Sequence, residues 1–124
     1  MATECYSLED FEKHVTTCTT LDPRYNKIGA ADATKLGKLL EGNTVLRTLW
    51  LESTQLDDAG AATVVNSLQG NTVLTVLNLG ENQITTVPPS IGTLVALKTL
   101  GLDGNPLVSL PKEICHLTNL TWLG

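Results

Sequence analysis

Cysteine and histidine side chains lie close together in the sequence at two places, so metal binding and thiol catalysis are the first chemistries to consider. His14 and Cys18 are four residues apart, as on one face of a helix, and Cys5 lies upstream. Structural metal sites normally draw their ligands from two closely spaced pairs, and the sequence contains no C-x-x-C motif. Cys115 and His116 are adjacent, and adjacent side chains point in different directions, which does not suit a Cys–His catalytic pair. We therefore predict no metal site and no catalytic cysteine.

Glu52 and Asp103 are a second candidate, because paired carboxylates can serve as general acid and base. The repeat described below places both residues on one column of a sheet, two strands apart. Neighbouring strands are about 4.8 Å apart, so the carboxylates should lie about 10 Å from each other, and no nearby residue supplies a nucleophile. We predict an acidic recognition stripe or solvated charge here, with no cofactor and no enzyme activity.

The number of cysteines is odd, which bears on the compartment in which the protein folds. Cys5, Cys18 and Cys115 cannot all pair within one chain, and no basic stretch followed by an apolar run follows Met1. Three free thiols in a reducing compartment, and hence a cytoplasmic location, are therefore expected. A disulfide between Cys5 and Cys18 in an extracellular protein is the alternative that sequence spacing leaves open.

Composition and charge argue against several classes of partner. Hydrophobic residues make up 42% of the 124 residues and charged residues 17%, which is typical of a globular domain. The formal net charge of −5 argues against nucleic acid and against an anionic membrane, because both need basic surfaces. No stretch approaches the roughly 18 apolar residues of a membrane span. We therefore expect a protein partner.

An internal repeat indicates the elements that must position these side chains. The segment 40–46 (LEGNTVL) returns at 68–74 (LQGNTVL), so the numbering advances by 28 from one copy to the next. The offset then shortens to 23, at which Leu77, Leu79, Asn82 and Ile84 correspond to Leu100, Leu102, Asn105 and Leu107. A fixed period of this size is typical of a solenoid, in which each unit buries its apolar edge only against its neighbours.

Each unit reads L-x-x-L-x-L-x-x-N-x-L, and on this motif the sequence resembles the leucine-rich repeat family. Complete copies of the motif span 46–56, 74–84 and 97–107. A degenerate copy begins at Cys18, and residues 120–124 match only the start of a last copy. The resemblance implies an α/β fold, a right-handed leucine-rich repeat solenoid with a curved parallel sheet of about five strands on its concave side. The predicted units lie near 18–45, 46–73, 74–96 and 97–119, with a partial unit at 120–124.

The two periods predict two kinds of segment on the convex side. In the 28-residue units, Ala30–Leu40 and Ala59–Leu68 have the length and alanine content of helices, and these units resemble ribonuclease-inhibitor-type repeats. In the 23-residue units, Pro88 and Pro111 leave room only for a short 3₁₀ turn. Those units resemble the shorter repeats of intracellular signalling scaffolds, and no helix comparable to the first two is expected after residue 85.

Residues 1–17 do not follow the repeat and are predicted to form a capping helix. Ser7 is a plausible N-cap with Asp10 three residues later, and Leu8, Phe11 and Val15 form an apolar stripe at helical spacing. A solenoid needs a cover over the open N-terminal edge of its core, which this helix would provide.

Alternation along each strand predicts which side chains leave the core and face a partner on the concave sheet. Trp50 is the most informative, because a large ring on a solvated strand face contributes little to folding and tryptophan is a favoured interface anchor. Packing of Trp50 across the sheet is the alternative. The predicted partner-binding residues are Asp22, Arg24, Trp50, Glu52, Asn78 and Asp103.

The incomplete last unit predicts a second contact surface. Leu120, Trp122 and Leu123 begin a repeat that the sequence does not finish, so an apolar edge and an unpaired strand are expected there. We predict a homodimer or end-to-end association through residues of about 107–124, or fraying of that end.

The resemblance suggests two functions. Leucine-rich repeat domains generally bind proteins, so we predict a non-enzymatic interaction module that uses the concave sheet and its flanking loops. The alternative is a regulatory or structural segment of a larger multidomain signalling protein, such as a kinase, a GTPase regulator or an immune receptor.

Overall fold

The structure of the protein is a computed structural model that describes residues 3–124, and its central feature is one parallel sheet. Within this range six short strands lie side by side in chain order, which is the arrangement of a solenoid. The strands are β1 (Thr3–Cys5), β2 (Cys18–Leu21), β3 (Thr48–Trp50), β4 (Val76–Asn78), β5 (Thr99–Gly101) and β6 (Trp122–Leu123).

Strand pairing follows the sequence repeat residue by residue. Leu49 of β3 pairs with Leu21 of β2 and with Leu77 of β4. Each of these partners lies 28 residues from Leu49, which is the longer offset of the repeat. Leu77 then pairs with Leu100 of β5 at the shorter offset, and Leu100 pairs with Leu123 of β6. The predicted α/β leucine-rich repeat solenoid is thereby confirmed.

The segments opposite the sheet change type where the repeat shortens. The helices α2 (Ala30–Leu40) and α3 (Asp58–Ser67) occupy the 28-residue units and pack against each other. Two 3₁₀ turns, Pro89–Thr93 and Lys112–His116, occupy the 23-residue units. Both helices, and the lack of a comparable helix within residues 86–124, agree with the prediction. None of the helices in the described range is long and apolar enough to cross a membrane.

Leucine fills the space between the sheet and these segments. The leucines at alternate positions in and directly after β3, β4 and β5 are at most 3% exposed, because alternate residues there point into the solenoid. They are Leu49, Leu51, Leu77, Leu79, Leu100 and Leu102. Within residues 3–124, Phe11 is the one aromatic side chain of the core, so the other aromatic rings lie nearer the surface.

The N-terminal residues form a strand as well as a helix. The sequence predicted only a capping helix within residues 1–17, of which residues 1 and 2 lie outside the described range, and the strand β1 was not foreseen. The helix α1 (Leu8–Lys13) begins after Ser7, whose Oγ accepts a hydrogen bond from the Asp10 N–H at 3.0 Å. Phe11 carries the apolar side of α1 into the core.

Cys5 of β1 and Cys18 of β2 form a disulfide. Both residues are fully buried, and their Cα atoms are 6.2 Å apart, a separation that a disulfide spans without backbone movement. The expectation of three free thiols is therefore wrong for this pair, because β1 pairs with β2 and brings Cys5 beside Cys18. Cys115 lies apart from the pair and is exposed.

Asparagine side chains tie the turn of one unit to the turn of the next. Asn82 Oδ1 accepts hydrogen bonds from the N–H groups of Thr54 and Leu56, both at 3.0 Å, and its Nδ2 donates to the Leu51 carbonyl at 2.9 Å. Asn105 repeats this pattern one unit later. Thr54 occupies the equivalent position one unit earlier, where its hydroxyl donates to the Leu51 carbonyl at 2.8 Å.

One turn position after each strand has a left-handed backbone in four successive units. Tyr25, Ser53, Glu81 and Gly104 are related by the repeat offsets, and their φ angles are 68°, 55°, 53° and 74°. Residues other than glycine are strained in this region by roughly 1–2 kcal/mol. The unit that uses Gly104 shows that the turn itself does not require a side chain at this position.

The C-terminal unit leaves large apolar side chains exposed. Val108 is 77% exposed, Trp122 is 50% exposed and Leu123 is 47% exposed. Leu120 is partly buried against the core, and β6 is paired with β5. The predicted apolar edge is therefore present at this end of the described chain.

Candidate partner-binding surface

The sheet surface, meaning the outward side chains of the strands and of the turns that follow them, holds the predicted binding residues. Trp50, Asn78 and Gly101 align across β3, β4 and β5, with Asp22 at the equivalent place after β2. Two residues further along each unit lies the next outward position of the sheet surface. It is occupied by Arg24, Glu52, Gly80 and Asp103 in successive units. The first two units thus carry two large side chains each, whereas the next two units carry one glycine each beside Asn78 or Asp103.

Arg24 connects the side chains of the first two units. Its Nε and Nη2 donate to the two carboxylate oxygens of Asp22 at 2.8 and 3.0 Å, which is a bidentate ion pair. Its Nη1 lies 4.0 Å from Glu52 Oε1 in the next unit. The hydrogen bonds to Asp22 raise the pKa of Arg24 further above its ordinary value, so the guanidinium stays charged.

The Arg24 guanidinium also stacks on Trp50. Its Cζ lies 5.0 Å from the ring centroid, within the range of a cation–π contact. Trp50 is partly exposed at the end of β3. The ring therefore packs on a neighbour and still presents surface to solvent, so the two interpretations of Trp50 are compatible.

Two tyrosines that are not among the predicted binding residues extend this group. Tyr6, directly after β1, is 58% exposed, and its hydroxyl donates to the Glu4 carboxylate, which raises the pKa of the Tyr6 phenol. Tyr25 is 74% exposed, and its N–H donates to the Glu52 carbonyl at 3.4 Å. The scarcity of aromatic residues is the sequence feature that could have identified them. Because the core is almost wholly aliphatic, most of the few aromatic rings lie at the surface, where a partner can contact them.

Asn78 belongs to the sheet surface but not to the Arg24 group. Its Oδ1 accepts a hydrogen bond from the Gly80 N–H at 2.8 Å. The same oxygen would lie 2.7 Å from a Cβ at Gly101, so glycine there leaves room for the Asn78 side chain. Asn78 is therefore engaged in shaping the turn, and its carbonyl oxygen already has a donor.

Asp103 lies apart from the Arg24 group as well. It is exposed beside Gly80, and its backbone carbonyl accepts a hydrogen bond from the Glu81 N–H at 2.8 Å. Glycine at position 80 therefore separates Asp103 from Glu52 along their column. Within residues 3–124 no group of three or more His, Cys, Asp and Glu side chains is arranged to hold a metal ion.

Comparison with known proteins agrees with this architecture. A family model described as leucine rich repeat matches residues 44–107, more than half of the chain. The chain belongs to the leucine-rich repeat family. Repeats of this family typically serve as interaction modules, and the comparisons indicate no enzyme family. The subtype of the 28-residue and 23-residue leucine-rich units stays a prediction.

A plant protein carries a related sequence. A putative disease resistance protein of Arabidopsis thaliana is 31% identical to this chain over an alignment 126 residues long. The alignment covers 96% of this chain. The matched region is 9% of the relative, so the chain spans less than a tenth of that protein's length.

A solved structure shows the same fold. The structure titled Leiomodin-1 Actin-Binding Site 2 superposes with a TM-score of 0.72 at 23% sequence identity. The match covers 94% of this chain and 75% of the other. At this level of identity the likeness concerns the fold alone.

Proposed function

We propose that this protein is a non-enzymatic interaction module that binds a protein partner through its sheet surface and the turns after its strands. The observation that carries the proposal is the stack of Arg24 on Trp50, fixed by the bidentate ion pair with Asp22. Tryptophan and arginine are among the residue types that most often dominate binding energy at interfaces. Both are held in place before a partner arrives, which reduces the entropy lost on binding.

The fold neighbour supports a protein as the partner. Its title describes an actin-binding site, so that protein uses the shared architecture to bind another protein. For this chain we propose a protein partner on the concave sheet, contacted by Trp50, Arg24, Asp22 and Glu52 and, along the same face, by Asn78 and Asp103.

Affinity purification with three forms of the protein tests the binding surface. The forms are the wild type, Trp50→Ala, and the control Lys38→Ala, which alters an exposed residue of α2. A partner should be retained by the wild type and the control, and its purified form should bind Trp50→Ala at least about tenfold more weakly. A partner that binds Trp50→Ala normally but is lost with Lys38→Ala would place the contact on the opposite side of the solenoid.

We further propose that the chain functions as a regulatory or structural segment of a larger multidomain signalling protein. The observation that favours this proposal is the length of the plant relative. The region that matches this chain makes up only 9% of that putative disease resistance protein. Immunoblotting of native tissue with an antibody to this chain measures the mass of the whole product. A band far above 13.3 kDa is expected, and a single band near 13.3 kDa would contradict the proposal.

The C-terminal apolar edge is proposed to mediate self-association. Leu120, Trp122 and Leu123 lie there, and the half-exposed Trp122 ring offers a flat anchor for a second copy. Sedimentation should show a dimer or larger species for the wild type and a monomer for Trp122→Asp, with Thr72→Asp as the exposed control. A wild-type monomer at high micromolar concentration, with residues 118–124 protected from hydrogen exchange, would contradict it.

A further inference from the structure

Seven side chains at the N-terminal end of the sheet surface form what we call the aromatic–acidic patch. They come from β1, from β3 and from the turns that follow β1, β2 and β3: Glu4, Tyr6, Asp22, Arg24, Tyr25, Trp50 and Glu52. Three carboxylates and one guanidinium give the patch a formal charge of −2. Negative charge and exposed aromatic rings therefore occur together at one end of the sheet, which favours a partner surface that is basic.

Tyr25 is held in a strained backbone conformation. Its φ angle is +68°, whereas the equivalent position three strands along is Gly104, for which the same conformation carries no strain. The Tyr25 side chain is largely exposed, so it gives the fold little in return. Ser53 and Glu81 hold the same conformation at the equivalent positions, so what distinguishes Tyr25 is an exposed aromatic ring that a partner can contact.

Glu52 is the carboxylate of the patch with the most binding capacity left. Its nearest cation, Arg24 Nη1, lies 4.0 Å away, which is beyond hydrogen-bond distance. Within residues 3–124 no donor forms a hydrogen bond to its carboxylate, although the side chain is only 24% exposed. The Tyr25 N–H donates to the Glu52 backbone carbonyl, so the open carboxylate and the exposed tyrosine arise from adjoining backbone.

We propose that the aromatic–acidic patch binds an arginine-bearing basic segment of the partner protein, with one guanidinium seated against the Glu52 carboxylate and the Tyr25 ring. The inference rests on the proposed function and specifies its partner chemistry. Arg24 shows what this environment accepts, because its own guanidinium is paired with a carboxylate and stacked on an aromatic ring. Arginine suits the patch better than lysine, since its planar group stacks on rings and donates a forked pair of hydrogen bonds.

Titration of the isotope-labelled protein with hexa-arginine, hexa-lysine and hexa-glutamate, followed by NMR, tests the inference. Hexa-arginine should shift the resonances of Tyr6, Tyr25 and Glu52 first and bind several-fold more tightly than hexa-lysine, and hexa-glutamate should cause no shifts. Glu52→Gln should weaken hexa-arginine binding about tenfold. The matched control, Glu41→Gln, removes an exposed carboxylate at the C-terminal end of α2 and should leave binding unchanged.

Tyr25→Gly separates binding from folding. The variant should weaken hexa-arginine binding, while its unfolding midpoint stays the same or rises, because glycine relieves the left-handed backbone. The inference is overturned if hexa-arginine shifts acidic residues evenly over the surface, if Glu41→Gln weakens binding as much as Glu52→Gln, or if Tyr25→Gly binds normally. If those results occur while Trp50→Ala still loses a purified partner, the arginine chemistry is wrong and the proposed function stands.

Discussion

The first and last units of the solenoid differ on both sides of the same sheet. Up to residue 73 the sheet has α-helices behind it and the Arg24–Trp50 group in front, whereas the next two units have 3₁₀ turns behind and combine Gly80 and Gly101 with Asn78 and Asp103 in front. The strand pairing nevertheless continues without a shift, and Leu49, Leu77 and Leu100 are all fully buried. The buried leucines and the turn asparagines thus fix the sheet, and the two faces vary independently of it.

The largest effect is expected where the two kinds of unit meet on the shared core. Leu77→Ala should lower the free energy of unfolding by about 2–5 kcal/mol, because strands on both sides prevent the cavity from collapsing. Urea denaturation followed by circular dichroism measures the loss. Leu110→Ala, at a residue 42% exposed, is the control and should cost far less. A loss below about 0.5 kcal/mol for Leu77→Ala would mean that the sheet does not face the core as described.

The disulfide distinguishes the first units from the last. Cys5 and Cys18 are separated by 13 positions, and closing a loop of this size stabilises a fold by about 3 kcal/mol in the chain-entropy model. A reducing agent should therefore lower the unfolding midpoint of the wild type, and equally that of the control Cys115→Ser. Identical midpoints with and without reductant would show that the pair is not bridged. A bridge that survives in freshly extracted, thiol-blocked protein would contradict the expected cytoplasmic location.

The asparagine turns should be stronger in the later units than the threonine turn before them. Asn82→Ala removes a buried amide that bonds both its own unit and the preceding one, and should cost about 1–3 kcal/mol. Thr54→Val removes one hydroxyl donor and should cost about 1 kcal/mol. Chemical denaturation of both variants makes the comparison. Equal losses would contradict the view that the asparagine turns are stronger than the threonine turn.

Asp58 joins the last helical unit to the first 3₁₀ unit. Its carboxylate accepts hydrogen bonds from the Thr85 hydroxyl and from the N–H groups of Thr85 and Thr86. These hydrogen bonds lower the pKa of Asp58 below its ordinary value of 3.8, and the bond from the Thr85 hydroxyl has the largest effect. A lowered pKa in the folded state stabilises the fold above about pH 4, and this stabilisation is lost as pH falls through the folded-state value. Asp58 therefore makes the boundary between the two kinds of unit sensitive to acid.

The corresponding variant has the smallest expected effect. Asp58→Asn should be less stable than the wild type at pH 7, and the difference should shrink as the pH falls below about 4. Urea midpoints from pH 7 to pH 3 provide the measurement. Asp32→Asn, in the first turn of α2, is the control. A difference between Asp58→Asn and the wild type that does not change with pH would rule out the charge of Asp58 as its cause.

Most of the fold follows from the repeat. Its longer and shorter offsets together predict β2 to β6, their register, both long helices and the inward leucines, because each unit restates the same alternation. The strand β1 could not be found in this way, since Thr3–Cys5 has no repeat partner and pairs with β2 through a register shift. For the same reason the sequence offered the Cys5–Cys18 disulfide only as an alternative to free thiols.

The candidate site was predictable in outline only. Alternation placed Asp22, Trp50 and Glu52 on the outward side, but the stacking of Arg24 on Trp50 depends on side-chain rotamers that sequence does not fix. Tyr25 was passed over because its turn position carries no hydrophobic pattern, and only its φ angle shows that a side chain there is costly.

The sequential order of the strands has a mechanical consequence. Each strand bonds only to the strands before and after it, so the ends of the described chain lie at opposite ends of the stack. A force applied between those ends would load one row of interstrand hydrogen bonds at a time, in tension rather than in shear. We expect an optical-trap record with small successive steps, each 23-residue unit releasing about 75–80 Å of extended chain. Unravelling should begin at β6 and end at the strands joined by Cys5 and Cys18.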